Sequence, residues 1–422
     1  MLKKIMFLLV IWVFVGFSSY AEINHAQIAP PAVVKNVKVA LFKNNIFYVS
    51  PVGSDSNEGT IDKPFKTLSM ALSKALPGDI IFLREGIYDI DVEIDKSGHP
   101  NNPITIQSYP NERAIFDGSK YDHSNQVKFR ISGSWLKIKD IEVRNGPSDG
   151  ILITDGAGFN VLENITVHHN YFAGIELENG AHHNIIRNCD SYRNFDYGES
   201  HGEHADGFGV KFNVGVGNII TGCRAWENSD DGFDLWSAGN SVVIEYSWAW
   251  RNGFDLWGVG KEFAGDGNGF KLGSGSPLIH HCISWGNAHG GFDFNDVSDV
   301  EKVFNNTSYN NPDYGFKFSW GQHLLRNNLS FMDGGNFIGS DVNDEYNSWN
   351  GSLIEVSAKD FKSLDDKVAI GPRRKGGGLP ISDFLRPSKN SRLIDRGVDV
   401  GLFFYGNAPD IGGFESLYER TR

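Results

Sequence analysis

The chain has 422 residues, 49 glycines, three cysteines and a formal charge of −13. Acid in that excess excludes nucleic acid and anionic membrane surfaces as ordinary partners, and would repel an acidic polysaccharide unless a bound cation reverses the field locally. Three cysteines are too few, and odd in number, for a disulfide framework.

At the N-terminus, Lys3 and Lys4 precede an apolar run from Ile5 to Val15, and Ser19-Tyr20-Ala21 supplies small residues for cleavage. Residues 1–21 therefore read as a signal peptide, followed by an extension over 22–45. The run is too short for a spanning helix and no later segment replaces it. A secreted protein, extracellular or periplasmic and without a membrane anchor, is expected.

Pro64 opens a predicted amphipathic helix with Phe65, Leu68, Ala71, Leu72 and Ala75 on one face. Such a helix would cap the open end of a solenoid. Residues 77–145 read as irregular early coils.

From residue 150 the chain repeats. Glycines at 150, 174, 207, 232, 269, 291 and 315 are separated by 24, 33, 25, 37, 22 and 24 residues. Each is followed by apolar residues at its first and third positions, as in Ile151 and Ile153 or Phe270 and Leu272. That period of two marks a strand with one buried face. A second column, Asn170, Asn194, Asn228, Asn252, Asn287 and Asn311, keeps the same frame. One strand-turn unit per period, stacked at about 4.8 Å, predicts an all-β fold: a single-stranded right-handed parallel β-helix over residues 46–333. Asparagines stacked in a turn would satisfy backbone groups that no sheet partner reaches. Cys189, Cys223 and Cys282 each stand five residues before a ladder asparagine and read as small fillers of one inward column. A bridge between Cys189 and Cys223, on adjacent rungs, stays open. Residues 334–422 are expected to pack on the solenoid without chemistry of their own, and the protein to be a monomer.

The two long steps locate a site. Asparagine to glycine takes four residues in most repeats, but 13 from Asn194 to Gly207 and 17 from Asn252 to Gly269. Two insertions thus enter at one corner, flanking the rung of Gly232. The pentapeptide GFDLW occurs in frame at 232–236 and out of frame at 253–257, inside the second insertion. Asp206 and Asp231 precede the glycines of adjacent rungs, Asp230 sits beside Asp231, and Asp234 is predicted to project from the exposed face. Four crowded carboxylates are costly unless a cation neutralises them, and hard oxygen ligands in a turn suit Ca²⁺. Lys271 follows Asp234 in the same outward column, with Asp293 and Lys317 beyond. A lysine beside a divalent cation suits β-elimination on a uronic acid, where the amine takes the C5 proton and the bond to O4 breaks. A plain salt-bridge ladder is the competing reading of that column.

The stretches HADGFGVKF, ENSDDGFDLW and GNGFKLGSG, with YVSPVGSDSNEGT near the start and APDIGGFE near the end, resemble the family 9 polysaccharide lyases, pectate lyases of the parallel β-helix class. The resemblance implies a Ca²⁺ site at Asp206, Asp230, Asp231 and Asp234, a base at Lys271, and an acidic polysaccharide, polygalacturonate, as substrate. Trp236 is a candidate to stack on sugar rings, and Lys211 and Arg251 to contact further carboxylates. Trp257 is open to the same stacking role or to core or loop packing, and His201 and His204 read as loop residues. Three other functions remain open: a glycoside hydrolase using two of the aspartates, a lyase for another uronate such as alginate, and a non-catalytic glycan-binding solenoid.

Overall fold

The computed structural model describes residues 44–124, 127–198, 200–351 and 355–417. The predicted signal peptide and most of the extension lie outside them. Among the described residues, no helix is long and apolar enough to cross a membrane.

Each coil contributes three short strands, and like strands of successive coils pair in parallel. They build one sheet of twelve strands, from Ile46–Val49 to Asn343–Glu345, and two of ten. The second sheet runs from Gly86–Asp89 to Leu329–Phe331, and the third from Val92–Ile94 to Asn336–Ile338. The glycine-led repeats form the third sheet, in the register the alignment requires: Phe208 pairs with Phe233, Phe233 with Phe270, and Asp234 with Lys271. Their apolar residues point into the core. Phe208, Phe233, Phe270, Phe292 and Phe316 are fully buried and stack as one column, with centroids 4.7–4.9 Å apart and planes within 7°. Each such contact adds about 0.5–1.5 kcal/mol beyond the area it buries.

The asparagine column lies in the corner between the second and third sheets. From Asn194 on, each side-chain oxygen accepts from the backbone N–H of the asparagine before it, for example Asn194 N to Asn228 at 3.2 Å and Asn252 N to Asn287 at 3.1 Å, while Asn170 accepts from Gly146 N. The column ends on Asp333, which accepts from Asn311 N at 2.9 Å. Two further ladders were not singled out in the sequence: Asn160, Asn184 and Asn218, and Asn306, Asn328 and Asn347. The three cysteines are buried and free, in the corner between the first and second sheets. Cys223 Sγ accepts from Cys189 N at 3.4 Å.

Three boundaries shift. The cap helix spans Leu68–Lys74 rather than starting at Pro64. Thr67 is its N-cap, its hydroxyl accepting from Met70 N, while Asp55 holds the backbone of Lys66 and Thr67. Its buried face is Leu68, Ala71 and Leu72, and Phe65 ahead of it and Ala75 at its C-cap are buried with them. Residues 77–145 are regular coils; their differing sequences hide the repeat, but their strands pair in the same sheets. The stacking continues past residue 333, through Asn336–Ile338 and Asn343–Glu345. Residues 355–417 then lie along the second sheet, where Phe361, Phe384 and Ile411 pack against Trp248, Trp250 and Trp285.

Candidate functional site

The carboxylates converge on the outer side of the third sheet. Asp206, Asp230 and Asp231 bring carboxylate oxygens within 4.8 Å of one another. Asp206 Oδ1 accepts from Asp231 N at 3.2 Å, which ties the two rungs together. Gly232 permits this close stacking, since a Cβ there would sit 2.6 Å from the carbonyl oxygen of Gly269. Asp234 lies two residues further along, its Oδ1 held by Trp236 N at 2.9 Å.

Against the expectation of an exposed face, all four aspartates are at most 2% exposed. The cause is the pair of insertions, whose described residues 195–198, 200–206 and 253–268 close over the Gly232 rung. Phe195 of the first stacks on Trp257 of the second at 4.4 Å, and Ala264 N donates to His201 O at 3.1 Å. The second loop also donates into the cluster: Asp266 N to Asp230 Oδ1 at 2.6 Å, and Asn268 N to Asp231 Oδ1 at 2.7 Å.

Lys271 points out of the core. Its Nζ lies 3.5 Å from Asp231 Oδ2 and 2.5 Å from Asp266 Oδ2, with the side chain 17% exposed. Lys211 is placed differently from the expected contact with substrate carboxylates. It is buried, with Nζ 2.6 Å from Asp206 Oδ2 and 3.0 Å from Asp234 Oδ2, so its charge is spent inside the cluster. Arg251 is also turned elsewhere, pairing with Glu227 at 3.2 Å on the corner. Trp236 is 49% exposed and meets Phe212 edge to face at 5.4 Å, leaving its ring open to a ligand. His201, half-buried, and His204, exposed, are loop residues near Glu262 and Asp196.

With Asp266, which shares Lys271, five aspartates face two lysines, so negative charge is in excess when all are ionised, in a setting with little water to spread it. Burial pushes the Asp206 carboxyl up to about 6, offset in part by Lys211. Burial and neighbouring acids, with Lys271 in partial relief, drive Asp230 and Asp231 well above the ordinary range. Burial alone would lower the Lys271 ammonium, but Asp231, Asp234, Asp230 and Asp266 outweigh it and hold the proton more firmly than in water. Asp231 Oδ2 is buried and accepts no hydrogen bond. An excess of negative charge, clustered carboxylate oxygens and a buried oxygen that accepts no hydrogen bond and has only Lys271 Nζ at 3.5 Å fit a divalent, oxygen-seeking cation.

Three neighbours escaped the sequence reading. Asp266 lies in the out-of-frame insertion. Asn268 Oδ1 and Asp293 Oδ2 each lie 2.7 Å from the Tyr314 hydroxyl, two rungs away, and compete for its one proton. Glu176 sits one place before Gly209 in the outward column, and burial raises its carboxyl strongly. A signal existed for Glu176, in the same alignment that placed Asp234.

A family model described as "Pel9A-like, right handed beta helix region" matches residues 47–328. Pectate lyase L of Dickeya chrysanthemi is 36% identical over 421 residues, covering 95% of this chain and 97% of that protein. The crystal structure of pectate lyase Pel9A superposes with a TM-score of 0.81 at 38% identity, over 88% of this chain and 96% of the other. A rhamnogalacturonan lyase superposes with a TM-score of 0.72 at 29% identity, over 82% and 97%.

Proposed function

The chain belongs to the Pel9A-like right-handed β-helix family and is a polysaccharide lyase, and on that footing we propose that it cleaves polygalacturonate by Ca²⁺-dependent β-elimination with Lys271 as base. The observation carrying this reading is the placement of Lys271 Nζ, 3.5 Å from Asp231 on the neighbouring rung and open to the surface. Asp206, Asp230, Asp231 and Asp234 would hold the cation. Bound there, Ca²⁺ supplies charge withdrawal from the substrate's C6 carboxylate, which makes the C5 proton more acidic.

Lys271 then removes the C5 proton, the electron pair forms the C4–C5 double bond, and the bond from C4 to O4 breaks. Solvent protonates the leaving oxygen. Because the surrounding carboxylates raise the lysine's proton affinity, it becomes a base only as they are neutralised and the pH rises. Trp236 offers a stacking face for a sugar ring beside the cluster. Lys211 balances Asp206 and Asp234 from inside and keeps the acids assembled. Export, expected from residues 1–21, belongs to this proposal.

A hydrolase reading uses the aspartates but leaves Lys271 idle. The products separate the two, since elimination leaves an unsaturated sugar end that absorbs in the ultraviolet and hydrolysis does not. Absorbance should grow on polygalacturonate with Ca²⁺ and stop with a chelator. Cleavage without any such absorbance would overturn the proposal.

A further inference from the structure

On the second sheet, away from the carboxylates, residues 355–417 and the solenoid line an open pocket of about 420 Å³, within the roughly 300–1,000 Å³ usual for ligand sites. Its rim carries exposed aromatic rings: Phe403 at 67%, Tyr405 at 47% and Tyr246 at 43%. Two guanidinium groups line it. Arg386 lies over the Phe414 ring at 4.1 Å, with Nε donating to Ser382 O at 2.8 Å, and Arg374 is exposed. Among the described residues neither forms an ion pair, although the chain as a whole carries −13.

We propose that this pocket is a second, non-catalytic binding site for a short run of uronic-acid polysaccharide. Guanidinium forks match carboxylates in a bidentate fashion, and flat aromatic rings suit the C–H faces of pyranose sugars. Asp383 is close enough to act on Arg386 but forms no ion pair with it, and in a strongly acidic protein two arginines beside exposed rings are a local inversion of the surface chemistry. They complement a ligand that is itself acidic and carries a regularly spaced carboxylate. Glu415, also on the lining, does not oppose this. Its carboxyl already accepts from the backbone of Asp410 and Tyr405, and burial together with Asp410 pushes it up to about 8, which favours the neutral form.

The catalytic cluster is on the third sheet and the pocket on the second, so one polymer can be held at one site while another stretch is cut at the other. Tethering of this kind raises the effective concentration of substrate without any new contact at the reacting bond. The inference rests on the functional reading above for the identity of the polymer.

The test is affinity electrophoresis of the full chain in gels containing polygalacturonate, with neutral glucan as control. Lys271→Ala protein, which should not cut the gel, is compared with the same protein also carrying Arg374→Ala and Tyr405→Ala. The added pair should weaken retardation by polygalacturonate about fivefold or more and leave migration in glucan unchanged. In the otherwise native chain, the pair should leave turnover of a short soluble oligogalacturonide unchanged. Equal retardation of the two proteins overturns the inference, as does lost turnover of the short oligomer. If the native chain yields no unsaturated product from polygalacturonate, the functional reading itself has failed; if it does and the pocket variant binds like its parent, only this inference has.

Discussion

Lys271 is surrounded by Asp231 at 3.5 Å and Asp266 at 2.5 Å, so a single amine both neutralises part of the acidic cluster and faces the surface. Lys271→Ala should lower turnover by about a thousandfold, within the 10²–10⁴ range of a proton-transfer group, while leaving the fold intact by circular dichroism. Asp231→Asn should lower Ca²⁺ affinity and turnover together, each by about tenfold or more, because the number of charged oxygens sets affinity in such sites. Calorimetric titration beside the absorbance assay checks the pairing, and a variant with normal Ca²⁺ affinity would remove Asp231 from the site. Turnover should climb toward alkaline pH, since the neighbouring acids raise the lysine's proton affinity. A flat rate profile from acid to alkaline pH counts against a lysine base. Side chains that point outward from a strand were legible at this scale. What an outward lysine touches was not: Lys211 and Lys271 have the same parity, yet one turns into the cluster and the other meets Asp266 from a loop.

The asparagine column shows how one element joins rungs, and its end is its weak point. Asp333 takes the place of the last asparagine, and burial pushes its carboxyl up to about 6. A buried acid with a raised folded value favours its protonated form. Its stabilising contribution is therefore complete below the unfolded value near 3.9, declines as pH rises, and is lost above about 6. Asp333→Asn keeps the acceptor for Asn311 and can donate to the Ser330 hydroxyl, which now donates to Asp333 at 2.7 Å. The substitution should stabilise the protein by about 1 kcal/mol at pH 8 and be close to neutral at pH 4. Thermal melts at the two values check this, and equal shifts at both would contradict it. The insertions are a second element. Trp257→Ala, by removing the ring stacked on Phe195, should loosen the cover and lower turnover several-fold, with the solenoid's circular dichroism unchanged.

At the scale of the molecule, residues 355–417 belong to the fold rather than trail from it. Arg373 donates to the Asp190 carboxylate at 2.8 Å, to Cys189 O at 2.8 Å and to Gly222 O at 3.0 Å, linking the segment to the corner of two coils. Arg224 shares the same carboxylate. Arg373→Ala should cost about 2 kcal/mol, since Arg224 still compensates Asp190, and should speed proteolysis within 355–417. An unchanged cleavage pattern would show that apolar packing on the tryptophans suffices to hold the segment.

The repeat, the parity of each strand and the columns that carry Asp206, Asp231, Asp234 and Lys271 follow from the sequence alone. In a solenoid, residues at equal phase become neighbours, so an alignment of the chain with itself is already a contact map. The tertiary structure alone decided the burial of the acids, the pairing of Lys211, the approach of Asp266 and the seat of the C-terminal segment. Those contacts join loops and terminal residues to the coils at separations that no period encodes, and they form wherever shape and charge happen to fit.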